Sequence, residues 1–130
     1  MTREQSSEGS EMVLEIRTYK LHPGARAEFD AIFRNETLPL LTAFGIDVVG
    51  TAASATDDCH YLLVRAFPSL EARVDQSEAF YGSEQWLTQL DRRVMACIES
   101  YHTVVVEADG TMREGVRAAL GRAVQREEAA

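Results

Sequence analysis

The sequence predicts an α+β fold, a ferredoxin-like βαββαβ sandwich followed by a C-terminal helical extension. Apolar residues alternate or run together in four short segments, and they recur at helical spacing in two longer ones. The order of these segments is strand, helix, strand, strand, helix, strand. Only about five residues separate the two middle strands, which indicates a hairpin. Two βαβ halves joined by a hairpin form a four-stranded antiparallel sheet with helices on one face.

The chain divides into three segments of different character. Residues 1–11 are polar and acidic, which predicts a disordered tail. Residues 12–108 carry the sandwich, and residues 109–130 form the helical extension. A length of 130 residues suits one compact domain.

Charge and composition argue against several classes of protein. A net charge of −8 argues against binding nucleic acid or an anionic membrane surface, because both need clustered Lys and Arg. No apolar run approaches the ~20 residues that cross a bilayer, and the acidic N-terminus is not a signal peptide. Cys59 and Cys97 match no metal or redox spacing. We expect buried free thiols and a cytoplasmic protein, with a disulfide between the two as the alternative.

The first strand, Val13–Leu21, combines apolar and charged side chains on one face. Val, Ile, Thr and Tyr favour a pleated sheet, and successive side chains point to opposite faces. One face carries Glu15, Arg17 and Tyr19 among apolar neighbours. A carboxylate, a guanidinium and a phenol together on such a strand are the first indication of a functional site.

A long helix is predicted over residues 25–44, after a Pro-Gly break in the extended chain. Apolar residues that include Phe29 and Phe33 recur there at helical spacing. Pro39 lies inside this pattern and removes one backbone donor. We therefore expect a kink or break near Leu38.

The remaining elements follow in chain order. Strands are predicted over residues 46–53 and 59–67, and Gly50 marks a bulge or a close approach in the first of them. Helices are predicted over residues 69–77, 83–98 and 113–128, a loop over residues 80–82, and a strand over residues 101–107. The last helix has a thin apolar stripe and two glycines, so we expect it to dock on a partner subunit or to fray.

Each predicted strand has apolar residues on both faces. The sheet face opposite the helices is therefore apolar as well, and an exposed apolar face of this size marks an interface. We expect a homodimer in which two sheets pack face to face about a two-fold axis.

Residues 15–50 contain a series of short motifs. It consists of Glu15-Ile16-Arg17-Thr18-Tyr19, Leu21-x-Pro23-Gly24, Phe29, Leu38-Pro39-Leu40, Gly45-Ile46 and Val49-Gly50, continued weakly by Phe67-x-Ser69-Leu70-Glu71-Ala72-Arg73 and Trp86. This series resembles the NIPSNAP family. The resemblance implies a dimeric α+β barrel and supplies no catalytic motif. Structural relatives of that family include cofactor-independent monooxygenases and polyketide cyclases, which hold an organic substrate between sheet and helices, but this is an analogy of fold.

Aromatic and cationic side chains are the candidates for binding a substrate. Arg17 presents a planar fork of donors and, with Tyr19, could orient an anionic or carbonyl-bearing ligand. The alternative for Arg17 is an inter-subunit salt bridge involving Glu15 or Arg65. Aromatic walls suit small-molecule cavities, although aromatics at helical spacing also build cores. The candidate wall residues are Phe29, Phe33, Tyr81 and Trp86.

Three titratable residues are the candidate acid–base catalysts. On a helical wheel Glu36 lies in the middle of the apolar stripe, where partial desolvation would raise its pKa and suit proton transfer. The alternatives are a Pro39 bend that exposes it, or an arginine partner. His60 and His102 are the other two candidates, because histidine as a residue type titrates near neutral pH, with a hydrogen-bonded core or interface role as the alternative. No close-spaced ligand pair occurs, so we expect neither a metal nor a cofactor.

Two hypotheses about function follow. The first is a small-molecule enzyme or binder of secondary or oxidative metabolism, which holds an apolar oxygenated substrate between sheet and helices. Its reaction would be a cofactor-free isomerisation, cyclisation or oxygenation. The second is a non-catalytic dimeric interaction or regulatory protein, favoured by the missing catalytic motif. A pocket of about 300 Å³ or more with convergent polar groups would distinguish the two.

Overall fold

One four-stranded antiparallel sheet organises the protein. The computed structural model describes residues 11–129, with side chains described for residues 11–121. The strands are β1 (Val13–Leu21), β2 (Asp47–Ala53), β3 (His60–Phe67) and β4 (Ile98–Glu107), in the order β2-β3-β1-β4. This topology confirms the predicted ferredoxin-like βαββαβ sandwich with a C-terminal helical extension. The predicted disordered tail lies, except for Glu11, outside the described residues.

Helices lie on both faces of this sheet. The elements are α1 (Arg26–Ile32), the π-helical turn π1 (Phe33–Thr37), α2 (Leu38–Ala43), α3 (Leu70–Tyr81), the π-helical turn π2 (Trp86–Leu90), α4 (Asp91–Cys97) and α5 (Gly110–Ala129). All but α5 pack on the face that carries Val13, Tyr19 and Leu21, which we call the inner face. The opposite, outer face carries Leu14 and Val64. Among the described helices, none is both long and apolar enough to cross a bilayer.

The main core lies between the inner face and the helices. Phe67 of β3 and Phe80 of α3 are fully buried there, and Leu21 of β1 is buried beside them. Phe80 packs edge-on against Phe44 at a ring separation of 5.7 Å. Each such side chain contributes about 1.5–3 kcal/mol by leaving water, so this layer is a large source of stability.

The first helix continues through Pro39, so the break expected near Leu38 does not occur. The backbone widens into π1 just before the proline, and the N–H of Leu38 donates to the carbonyl of Phe33 five residues earlier. Pro39 follows as the second residue of α2, so its missing N–H falls where the hydrogen-bond pattern changes from π to α.

Helix α3 is longer than predicted. It runs from Leu70, after the Ser69 hydroxyl cap, to Tyr81, and so includes residues predicted as a loop. The extra turn places Phe80 in the core and Tyr81 beside the sheet.

The C-terminal helix α5 packs on its own sheet, so the expectation that it docks on a partner or frays is wrong for its described part. Val116 and Leu120 join the cluster on the outer face, and Arg117 Nη2 donates to Asp47 Oδ2 at 2.9 Å. Gly50 lies at a β-bulge beneath this helix, and a Cβ added there would meet the Leu120 side chain at 2.8 Å. The sequence prediction of a bulge or close approach at Gly50 is confirmed.

Candidate functional site

Glu15 is the buried centre of a cluster with three arginines, which we call the arginine cluster: Glu15, Arg17, Arg65 and Arg73. Strand register places Glu15 directly opposite Arg65. Glu15 Oε1 accepts a hydrogen bond from Arg65 Nε at 2.7 Å, and Oε2 accepts one from Arg73 Nε at 2.8 Å. Arg17 Nε lies 3.2 Å from Oε1 without the alignment of a hydrogen bond. The cluster therefore holds three positive charges against one negative charge.

The charge on Glu15 reflects two opposing effects. Burial raises its pKa, but the charges of Arg65 and Arg17 and the hydrogen bonds from the arginines lower it by more, so the pKa lies below its usual value. Glu15 is consequently a carboxylate at neutral pH and a poor proton acceptor. Its role is to hold the guanidinium groups in place.

Arg17 is the member of the cluster that reaches a pocket. Its side chain is 15% exposed, whereas that of Arg65 is completely buried. The guanidinium carbon lies 5.4 Å from the ring centroid of Tyr101 and 5.9 Å from that of Tyr81. These cation–π contacts fix the orientation of the group.

The Tyr81 hydroxyl bridges two of the arginines. It accepts hydrogen bonds from Arg65 Nη1 at 3.1 Å and from Arg17 Nη1 at 3.4 Å. A phenolic oxygen has two lone pairs and one hydrogen. With both lone pairs used, the hydroxyl hydrogen can only be donated, and no acceptor for it occurs among the hydrogen bonds of residues 11–121.

A pocket of about 380 Å³ opens beside Arg17 on the inner face. Its walls are mainly aromatic and aliphatic, with Arg17 and Asp91 as the charged residues that line it. Tyr81 and Trp86 meet edge to face at 5.1 Å and form one corner. The polar and aromatic residues that line the pocket are Arg17, Tyr19, Tyr81, Trp86, Asp91 and Tyr101.

A smaller cavity of about 30 Å³ lies deeper, and it shares Tyr19, Tyr81 and Trp86 with the pocket. Its other walls include Phe29, Phe33 and Thr37 from the first helix. Thr37 is 8% exposed, and its Oγ1 is buried without a hydrogen-bond partner. A buried hydroxyl of this kind costs free energy unless a guest molecule satisfies it.

The helical residues that line the pocket and the inner cavity include residues of two π-helical turns. Turn π1 supplies Phe33 and Thr37 to the inner cavity, and turn π2 begins with Trp86. Such turns are rare and occur frequently at functional sites. They support the view that this region is shaped for a ligand.

The structure brings the six predicted substrate-binding residues together. Arg17, Tyr19, Tyr81 and Trp86 line the pocket, and Phe29 and Phe33 line the inner cavity. Their roles in binding stay predictions. The alternative of an inter-subunit partner for Arg17 is not needed, because its contacts to Glu15 and Tyr81 are within the chain.

Glu36 does not lie in a desolvated stripe, so that expectation is wrong. Arg93 donates to both of its carboxylate oxygens, at 2.8 and 2.6 Å, on the protein surface. These hydrogen bonds lower the pKa of Glu36. A wheel drawn at 3.6 residues per turn misplaces this residue because π1 has a wider turn.

The two candidate histidines also lie away from the pocket. His102 is exposed on the outer face of β4, where it pairs with Thr18 of β1. His60 is exposed at the hairpin, with Nδ1 3.0 Å from Asp57 Oδ2. Neither histidine lines the pocket beside Arg17, so the structure does not join the three candidate catalysts into one site.

Ligand atoms of Asp57, Cys59 and His60 lie within 4.8 Å of one another at the exposed hairpin. Backbone N–H groups of Cys59 and His60 and the imidazole bind the Asp57 carboxylate, and they lower its pKa to about 2. Burial and Asp57 raise the pKa of the Cys59 thiol, which disfavours the thiolate that a metal needs. These hydrogen bonds explain the group without a metal. Cys59 and Cys97 are both free, but only Cys97 is buried, so the expectation of a buried thiol is wrong for Cys59.

Sequence reasoning missed Arg73, Asp91 and Thr37 and gave Arg65 no place in a site. Arg65 carries the clearest signal, because a cation within an otherwise apolar strand requires a buried partner. Arg73 and Asp91 carry no signal beyond ordinary surface charge in a helix.

The comparisons agree with this architecture. The model of the NIPSNAP family matches residues 14–108. A NIPSNAP family protein with unknown function from Agrobacterium tumefaciens is similar at 22% identity and a TM-score of 0.70, over 77% of this chain and 90% of that one. An uncharacterized NIPSNAP domain protein from Burkholderia xenovorans has 21% identity and a TM-score of 0.67, over 75% and 95% of the two chains.

A more distant likeness is to SnoaB, a cofactor-independent oxygenase from Streptomyces nogalater. It has 16% identity and a TM-score of 0.60, over 79% of this chain and 98% of that one. Likeness at these identities establishes the fold alone. No protein among the curated ones matches the sequence. Because the family model covers most of the chain, the protein belongs to the NIPSNAP family.

Proposed function

We propose that this protein binds an apolar, oxygenated small molecule between the sheet and the helices and acts on it without a cofactor. The observation that carries the proposal is the pocket of about 380 Å³, in which aromatic walls surround the Arg17 guanidinium and the Tyr81 hydroxyl. Ligand sites typically combine an apolar lining with a few fixed polar groups in a volume of this order.

The reaction that suits this site is proton transfer at an activated carbon, leading to isomerisation or cyclisation, or oxygenation of an activated substrate. Arg17 and Tyr81 would stabilise negative charge on a substrate oxygen, because fixed donors favour developing anions. Asp91 at the pocket wall is the carboxylate within reach of a bound molecule, and we propose it as the base in place of Glu36, His60 and His102. The fold shared with a cofactor-independent oxygenase supports this chemistry by analogy only.

Thermal unfolding against a panel of aromatic, polyketide-like and fatty-acid ligands tests the proposal. A ligand at ~100 times its dissociation constant should stabilise the native state by about 2.7 kcal/mol. We expect the shift to disappear in Trp86→Ala, which removes a pocket wall, and to persist in Arg93→Gln, which alters a surface pair. A shift that is equal in both variants would contradict binding in this pocket.

We also propose a homodimer through the outer face of the sheet. Helix α5 covers the β2 side of this face, while Val104 on β4 is 58% exposed and Ile16 and Leu62 are half-buried. An exposed apolar patch on a sheet face supports a second copy as its partner. Val104→Asp should give monomers in sedimentation experiments, whereas Thr103→Asp, on the other face of the same strand, should not. Monomeric wild-type protein at micromolar concentration would contradict the dimer.

This patch also favours the second candidate function, a non-catalytic dimeric interaction protein. Enzymatic turnover that persists in Val104→Asp and is lost in Asp91→Asn would support the catalytic function. The two free thiols support a cytoplasmic location.

A further inference from the structure

We infer that the ligand of this pocket is an organic anion: a flat apolar ring system with a carboxylate or enolate oxygen that binds to Arg17 and Tyr81. This inference rests on the proposed function and names its substrate class. It depends on the charge balance of the arginine cluster, on the unused donors of Arg17 and Tyr81, and on the shape of the walls.

The charge balance beneath the pocket is positive. The Glu15 carboxylate is shared by Arg65, Arg73 and Arg17, which leaves an excess of two positive charges close to the pocket floor. Asp91 at the wall reduces the excess to one. Because the chain as a whole carries a net charge of −8, this excess is a local exception. Arg73 is 27% exposed and partly screened by solvent, so the positive charge that an anion in the pocket would meet comes mainly from Arg65 and Arg17.

Arg17 has donors to spare. Arg65 is completely buried and its described bonds go to Glu15 and Tyr81, so it is unavailable to a ligand. Arg17 donates to Tyr81 at a long 3.4 Å and interacts with the Tyr19 hydroxyl, while its buried Nε faces Glu15 Oε1 at 3.2 Å. The donors left for a ligand are therefore the terminal Nη groups. These contacts use only part of the five N–H groups of a guanidinium, which is itself held between two aromatic rings. A fixed guanidinium with free N–H groups is suited to a planar oxyanion.

Tyr81 supplies a second donor at the same point. Both lone pairs of its oxygen accept from guanidinium groups, and its hydrogen remains for a ligand oxygen. Two donors that converge on one position recognise a single charged oxygen better than either donor does alone.

The walls determine the rest of the ligand. The aromatic residues Trp86 and Tyr101 both line the pocket, which favours a flat ring. The deeper cavity of about 30 Å³ has room for a small substituent, and the unpartnered Thr37 hydroxyl favours an oxygen there. An aromatic or enolised polycyclic anion with a further oxygen satisfies all of these groups.

The test is isothermal titration calorimetry with two matched probes, 2-naphthoate and the neutral 2-naphthalenemethanol. We expect the wild-type protein to bind the carboxylate at least about 10-fold more tightly, since charge-assisted hydrogen bonds are involved. Arg17→Met should abolish this preference and leave the affinity for the neutral probe within about 2-fold. Tyr81→Phe, a smaller change, should reduce the preference in part, and Arg93→Met on the surface should have no effect.

The outcomes separate this inference from the proposed function. Equal affinity for both probes, or a preference that survives both Arg17→Met and Tyr81→Phe, overturns the anion assignment and leaves a binding pocket. If neither probe binds at millimolar concentration, the small-molecule pocket itself is refuted and the anion assignment falls with it. If the wild-type and Arg93→Met proteins prefer the carboxylate probe equally, and Arg17→Met loses this preference, the assignment stands. Tyr81→Phe keeps the test decisive should Arg17→Met fail to fold.

Discussion

Replacement of Glu15 by glutamine is the sharpest test of the buried arginine cluster. The side chain is fully buried, and an amide of the same shape would remove its negative charge. The fully buried Arg65, held 2.6 Å from Glu15 Oε1, would then lose its counter-charge. Breaking a buried ion pair from one side costs about 3–5 kcal/mol. For a domain of this size we expect a fall in melting temperature of about 10–15 °C.

The pH dependence of this effect has a definite sign. The pKa of Glu15 is lowered in the folded state, because the arginines outweigh the effect of burial. Its contribution to stability is therefore fully present above its unfolded pKa, about 4.3, and is lost as the pH falls through the lower folded value. The difference in stability between the wild-type protein and Glu15→Gln should be largest near pH 7 and shrink below about pH 4.

Urea unfolding at a series of pH values measures both quantities. Glu36→Gln is the matched control, because the Glu36 carboxylate is also paired with an arginine but lies at the surface. It should change stability little at any pH. A Glu15→Gln protein within about 1 kcal/mol of the wild type at pH 7 would refute the reasoning. So would a difference in stability that does not change with pH.

Three further substitutions test the packing. Gly50→Ala should destabilise the protein by about 1–3 kcal/mol in chemical unfolding, because the new Cβ would meet Leu120 at 2.8 Å, and Leu120→Ala should relieve part of this cost. Tyr61→Phe removes the 2.5 Å hydrogen bond to Asp30 and should cost about 1–1.5 kcal/mol, while an unchanged melting temperature would contradict its importance. Thr37→Val should stabilise the ligand-free protein by about 1 kcal/mol, since it removes a buried hydroxyl without a partner, and a loss of stability would mean that the hydroxyl is satisfied.

Local patterns predict the fold well because apolar residues have a characteristic spacing in strands and a different one in helices. Alternation along β1 is enough to place Glu15, Arg17 and Tyr19 on one face of the sheet, where Arg17 and Tyr19 line the same pocket. The pairing of Glu15 with Arg65 depends on the register of strands 50 residues apart, which local patterns do not contain.

The π-helical turns limit what the sequence can predict about the site. A wheel at helical spacing puts Glu36 in the core, whereas π1 directs it to the surface and Thr37 to the inner cavity. Nothing in the residue types of π1 or π2 distinguishes them from ordinary helix. The aromatic walls are predictable because large apolar side chains at helical spacing must face the sheet.

The most direct test of the central claim is to map where a ligand binds by amide and indole NMR shifts during titration with 2-naphthoate. Trp86 is the only tryptophan of the chain, so its indole N–H gives one resonance at the pocket wall. Binding between sheet and helices predicts that this signal and the amides of Arg17 and Tyr81 shift together and saturate. Shifts confined to the outer face around His102 and Val104, or no shifts at millimolar ligand, would contradict the claim.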